Sequence, residues 1–225
     1  MSDYTFKYLK PDTEVVTRGL VHGPSSIEGE YDEALAAPET VFRCEQAARE
    51  GFDGIFVNCF GDPGVRAARE AVDVPVFGGF EPVMHLAMGT ADRIAIITVL
   101  PHPVSMLNGS VAKARLEGRV VCIRNIDMPV LDLQDHEKVV TALTEQAVLA
   151  IQREHAEAIV LGCTGFIDVR EDVRYKLTQA GYDAPVLEAA QAAMVTLEAF
   201  VTMGLHHSRL TYLPPREKDR HWWPA

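Results

Sequence analysis

Short apolar runs alternate with longer mixed stretches along almost the whole chain. Runs at 54–58, 74–77, 93–100, 119–126, 158–162 and 184–187 predict strands, and residues 15–21 predict a further one. Helices are predicted over 38–50, 63–72, 81–88, 104–116, 136–155, 169–179 and 189–203. The long 136–155 segment carries apolar positions at Val139, Val140, Leu143, Ala147, Val148 and Ile151. Pro38 suits the first turn of its helix and Gly51 lies just past the end. Regular strand–helix alternation predicts an α/β fold with parallel sheets. The segment from His206 onward is polar and Pro-rich and predicts a strap over the surface, with His206, His207 and His221 solvated.

The pattern repeats. Residues 49–59 and 153–163 each run from the end of a helix through a short turn and a buried strand to a cysteine, Cys59 and Cys163. One thiol in each half predicts two pseudosymmetric lobes, with the sulfurs across a shared cleft. The division places residues 1–90 and 190–225 in the first lobe and 91–189 in the second. Aligning the halves on the cysteines maps the 119–126 strand onto 15–21. It leaves no counterpart of the 93–100 strand in the first lobe, and residues 1–10 stand as a remnant of the helix that follows it. The first lobe is therefore expected to lack its opening strand.

Each thiol is followed by a glycine-bearing turn. In Cys59-Phe60-Gly61-Asp62-Pro63-Gly64, the glycines permit close backbone approach, Asp62 can cap the next helix and Pro63 suits its first position. A helix N-terminus there is expected to lower the thiol pKa and offer N–H groups to an anion. Cys163-Thr164-Gly165 repeats the arrangement. A buried cysteine is ordinarily a small hydrophobe, which is how Cys44 and Cys122 read. Two thiols in matching frames read as a catalytic pair. Opposed thiols are what a cofactor-free racemase requires: one removes a proton from carbon and the other returns one on the opposite face.

Charge and composition narrow the field. A net charge of −11 argues against nucleic acid. No apolar run approaches the ~20 residues that span a membrane, and residues 1–7 carry no apolar signal stretch. Four cysteines without paired spacing fit a cytoplasmic chain with free thiols. Neither they nor His85 and His102 have metal-ligand spacing, so no metal is expected. His22 precedes Gly23-Pro24-Ser25-Ser26 at a strand end, where α/β sites collect substrate contacts, or where the chain simply turns. Glu81 reads as a first-turn helix residue or as an acid behind the site.

Residues 59–70, Cys59-Phe60-Gly61-Asp62-Pro63-Gly64-Val65-Arg66-Ala67-Ala68-Arg69-Glu70, resemble the first-cysteine motif of the hydantoin and allantoin racemases. These form a branch of the aspartate/glutamate racemase superfamily. Leu161-Gly162-Cys163-Thr164-Gly165-Phe166 resembles the second-cysteine motif; Gly23-Pro24-Ser25-Ser26-Ile27-Glu28 and the 204–215 segment also fit. The resemblance covers essentially the whole chain. It implies two α/β lobes, a thiol pair at their junction, no cofactor and a homo-oligomer. Departures are informative: the family's opening strand and Asn-Pro-Asn loop are missing, and Thr164 stands where Ala is common. Amino-acid racemases carry Asn-Thr after the first cysteine and Glu two positions after the second, where this chain has Phe60-Gly61 and Gly165. That favours a cyclic ureide over a free amino acid. The superfamily's decarboxylases lack the first thiol, which is present here.

The expected function is racemisation of a 5-substituted hydantoin or allantoin. Cys59 and Cys163 are the catalytic residues, and Asn58, Phe60, Gly61, Gly23, Pro24, Thr98, Thr164 and Gly165 face the substrate. The rivals are a non-catalytic ureide-binding or regulatory homologue and an isomerase of another activated carbon acid.

Overall fold

The computed structural model describes residues 3–219; the predictions for Met1, Ser2 and His221 fall outside them. It contains two parallel sheets. The larger is built from β3 (Ile94–Thr98), β4 (Val120–Asn125), β5 (Ala158–Leu161) and β6 (Val186–Glu188), in the order β4-β3-β5-β6. The smaller pairs β1 (Ile55–Phe56) with β2 (Val76–Phe77). β3 is central: Ile96 aligns with Ile123 of β4 and with Val160 of β5. All five β3 residues and all four of β5 are buried, as continuous apolar runs in a sheet covered on both faces should be.

The helices are α1 (Asp3–Phe6), α2 (Glu30–Arg49), α3 (Val65–Ala71), α4 (Phe80–Met88), α5 (His102–Lys113), α6 (His136–Glu154), α7 (Arg170–Gln179) and α8 (Ala189–Met203). One face of the larger sheet packs on α6 and α7 through Leu143, Ala147, Val173 and Leu177. The other packs on α4 and α5 through Val83, Met84, Leu107 and Val111. A smaller cluster of Cys44, Val65, Ala68, Val72 and Val76 closes α2 and α3 over β1 and β2. α4 follows β2 yet packs against β5 and β6, while α8 follows β6 and packs against β1 and β2 as well as α4. Each sheet's last helix thus reaches across to the other sheet.

Three expectations need correction. Residues 15–21 form no strand: Val16, Leu20 and Val21 are exposed. Their counterpart β4 pairs only with β3. Among the described residues no strand takes the β3 position beside β1, so 15–21 has no neighbour to ladder with. Second, α2 begins at Glu30, about two turns before Pro38. Its first turn carries Glu30, Asp32 and Glu33, favoured by the helix dipole, and the Asp32 carboxylate accepts from the Glu28 N–H at 3.0 Å. Pro38 sits inside the helix and costs it one backbone bond. Third, His207 is not solvated. Its Nε2 lies 2.9 Å from the Val76 N and 3.0 Å from the Val76 O, and burial lowers its pKa to about 4. Beside it Arg209 donates to the carbonyls of Arg69, Glu70 and Val72, fastening the 204–215 segment to α3 and β2.

Candidate active site

Cys59 and Cys163 both stand just past the carboxyl end of a parallel strand, β1 and β5 respectively. Both are partly buried and free. The negative charge of either thiolate would be felt by the other, since Cys163 is among the groups that raise the Cys59 pKa. The two turns are joined directly: Thr164 Oγ1 donates to the Asn58 carbonyl at 3.1 Å. Gly79 is wedged between them. Its N–H donates to the Cys59 carbonyl at 3.0 Å. A Cβ there would stand 3.1 Å from the Cys59 O, the Phe60 Cα and the Thr164 Cγ2, so a larger residue would push the Cys59 turn and the Thr164 side chain apart.

Each thiol receives backbone N–H groups from its own turn. Gly165 N–H donates to Cys163 Sγ at 3.3 Å, and Phe166 assists. Gly61 N–H plays the same part at Cys59. Burial nonetheless outweighs these donors. It pushes Cys59 up to about 12, with further upward pressure from Cys163, Asp62 and Glu33. It pushes Cys163 up to about 11, with Glu28 adding to it. The expected lowering by a helix N-terminus fails because α3 starts only at Val65, six residues beyond Cys59, and the dipole fades within one turn.

Asp62 does not cap the helix that follows it. It sits at φ 58°, a left-handed conformation that Asp tolerates better than most residues, and its carboxylate accepts from the Phe80 N–H at 3.1 Å. It therefore caps α4, locking the Cys59 turn to the Gly78-Gly79-Phe80 turn. Burial raises its pKa to about 7, against the lowering effect of the Phe80 and Gly79 N–H groups. Behind this turn Glu81, in the first turn of α4, pairs with the buried Arg69 at 2.7 Å. Arg69 also donates to the Val76 carbonyl and the Tyr212 hydroxyl.

The other expected residues separate into groups. Gly61 borders the site: a Cβ on it would stand 3.0 Å from Met106 Cε and 3.5 Å from Glu33 Oε2. Phe60 turns away, buried edge-on against Phe80 at 5.6 Å. Thr98 is buried at the end of β3, opposite Asn125. Gly23 and Pro24 lie in the loop before α2, Gly23 exposed and Pro24 half-buried. That loop reaches the second half through Glu28, whose Oε1 accepts from the Val130 N–H at 2.8 Å. Cys44 is buried beneath α3, and Cys122 lies half-buried on β4. Sequence reasoning missed Gly79, Glu33 and the capping role of Asp62. The Gly78-Gly79 pair ahead of a helix was the available signal. Among the described residues no group of three or more His, Cys, Asp or Glu is placed to hold a metal ion, and no helix is long and apolar enough to cross a membrane.

A model of the Asp/Glu/Hydantoin racemase family matches residues 3–197. The chain belongs to this family. A hydantoin racemase from Pseudomonas sp. (strain NS671) is 35% identical over 212 residues, covering 93% of this chain and 83% of the relative. An allantoin racemase structure from Klebsiella pneumoniae superposes with TM-score 0.87 at 31% identity, over 95% of this chain and 86% of the other. The allantoin racemase of Pseudomonas fluorescens gives 0.90 at 29% identity, over 98% and 92%. Family membership makes the chain an isomerase of the racemase class with the α/β fold expected of it.

Proposed function

We propose that the protein racemises hydantoin-type cyclic ureides, a 5-substituted hydantoin or allantoin, without a cofactor, using Cys59 and Cys163. The observation that carries this reading is the pairing of two thiols at the ends of β1 and β5, within electrostatic reach of each other and joined through Thr164 and Asn58. The names of the relatives support the substrate class.

The ring carbon that racemises lies between a carbonyl and an amide nitrogen, so loss of its proton gives an enolate. One cysteine takes that proton as thiolate. The other, as thiol, protonates the opposite face. The N–H groups of Gly61 and Gly165 steady whichever sulfur is charged, and Asn58, Thr164 and the two turns hold the ureide. Both thiols are protonated in the free protein near neutrality, so catalysis requires the pair to lose one proton, and that titration belongs to both. On this reading residues 1–90 with 190–225, and 91–189, are the two lobes that meet at the site. The working form is a homo-oligomer in the cytoplasm whose partner is a small cyclic ureide.

The test is to follow the optical rotation of an enantiopure 5-substituted hydantoin and of allantoin with time. Decay to zero well above the uncatalysed rate supports the proposal; the uncatalysed rate with both contradicts it. Binding without turnover would instead favour a ureide-binding role, the alternative suggested by the open cleft that runs to Cys59.

A further inference from the structure

Helix α2 presents Glu33, Ala36, Thr40 and Cys44 along one stripe, and the last three are buried. The helix is seated on the Cys59 turn through Gly64, where a Cβ would stand 2.8 Å from the Ala37 carbonyl oxygen and 3.3 Å from Val41 Cγ2. Glu33, in the first turn of α2, carries the stripe out over that turn. Its Oε2 stands 3.5 Å from where a Gly61 side chain would begin. Met106 of α5 reaches the same spot, with Cε at 3.0 Å and Sδ at 3.5 Å. The two side chains therefore meet above Gly61, two residues past Cys59.

The neighbouring acids are occupied: Asp32 accepts from the Glu28 N–H, and Glu28 from the Val130 N–H. Glu33 is not. It is half-buried, yet among the described residues its carboxylate accepts no hydrogen bond and forms no ion pair. Burial and Glu30 raise its pKa, and Lys113 of α5 lowers it through its charge alone. A carboxylate withdrawn from water without a donor is costly, and a ligand that brings one removes the cost. The charged side chains acting on the sulfurs, Asp62 and Glu33 at Cys59 and Glu28 at Cys163, are all acids. They favour a ligand that carries N–H donors or positive charge.

We propose that Glu33 determines the substrate specificity of the thiol site: its carboxylate accepts from N–H groups on the C5 substituent of the ureide, selecting an ammonium- or ureido-bearing substituent over an alkyl one. The inference rests on the racemase reading. Thr164 and Phe60 are buried, whereas Glu33 and Met106 are half-exposed. The ring goes in toward the buried side, and its exocyclic group points out between Met106 and Glu33. The adaptable thioether of Met106 packs on the stem of that group, and the Glu33 carboxylate takes its head.

Three enantiopure substrates test this: 5-(4-aminobutyl)hydantoin, its isostere 5-pentylhydantoin, and allantoin, whose substituent is a ureido group. kcat/KM for racemisation is measured by polarimetry and expressed as a ratio to the pentyl compound. An effect of the Glu33 charge on the thiols is common to all three substrates and cancels in the ratio. Wild type should favour the aminobutyl compound and allantoin by about tenfold, as one charge-assisted hydrogen bond supplies. Glu33→Met keeps the length and deletes the acceptor, and should lower both ratios about tenfold, through KM. Glu33→Gln keeps a neutral acceptor and should restore the allantoin ratio more fully than the aminobutyl one. A wild type that favours only one of the two, with that preference lost in Glu33→Met, identifies ammonium or ureido as the chemistry selected. Ratios near one for both in wild type, or ratios unchanged in Glu33→Met, overturn the proposal and leave the racemase reading standing. Racemisation of none of the three contradicts the racemase reading instead. The same ratios, taken from dissociation constants by calorimetry, then decide on Glu33 by the same criteria.

Discussion

Thr164 Oγ1 donates to the carbonyl of Asn58 at 3.1 Å, tying the residue after one cysteine to the residue before the other. The two are 106 positions apart in sequence. Thr164 is buried. The spacing of the thiols is thus fixed by a bond that involves neither sulfur, with the Gly79 backbone packed against both turns.

Thr164→Val keeps the shape and deletes the donor. It should cost about 1–3 kcal/mol, the penalty for a buried acceptor left unpaired, and lower kcat at least tenfold. Thr164→Ser, which restores the hydroxyl, should recover most of both. Urea unfolding and polarimetric rates on the two variants check this. Wild-type stability and turnover in the valine variant would show that the bridge does not align the site.

Gly78 lies under the Asp62 carboxylate, and a Cβ there would overlap it. Gly78→Ala should therefore displace Asp62 from the Phe80 N–H and disturb the Cys59 turn while leaving the larger sheet intact. The expected signature is a fall in racemisation larger than the loss of melting temperature accounts for. Unchanged kinetics would mean that the turn tolerates the shift.

Asp62 also makes stability depend on pH. Burial raises its folded pKa to about 7, above the ordinary aspartate value of 3.8. A raised pKa means its stabilising contribution is complete below about 3.8, declines above that and is lost as the pH passes 7. Asp62→Asn keeps an acceptor for Phe80 and cannot ionise. Relative to wild type, the variant should gain stability from about pH 4 to pH 7 and level off above that. A constant difference in urea midpoint across that range would contradict the assignment.

Much of this was legible in the chain because the strands of the larger sheet are continuous apolar runs. The predicted 93–100, 119–126 and 158–162 strands fall within two residues of β3, β4 and β5 at either end. Residues 15–21 misled for a physical reason. Their Val-rich pattern is that of a strand, but a strand also needs an adjacent partner, and the ladder that would supply one is not formed. The placement of the cysteine pair just past the ends of two strands was visible through the repeat. The state of its thiols was not, because burial is a tertiary property that overrode the turn N–H groups. Gly79 and Asp62 were invisible as site residues for a similar reason: their roles lie in contacts with turns distant in sequence.

Because burial holds both thiols above the free-thiol value of 9.0, to about 12 and about 11, the active state with one proton on the pair is scarce at neutral pH. kcat/KM should rise with pH from 7 through at least 9, and fall only where the second proton is lost. Cys44→Ser and Cys122→Ser should leave this profile in place. A profile that is flat or falling between pH 7 and 9 would place the ionisation that controls the rate elsewhere.

The central claim is that Cys59 and Cys163 work as two bases on opposite faces of one carbon. It is tested most directly by Cys59→Ser and Cys163→Ser in deuterated solvent, with the fate of each enantiomer followed separately. Neither variant should interconvert the enantiomers. Each should exchange the ring proton of one enantiomer only, and the two variants should act on opposite ones. Full racemisation by either single variant would contradict the account.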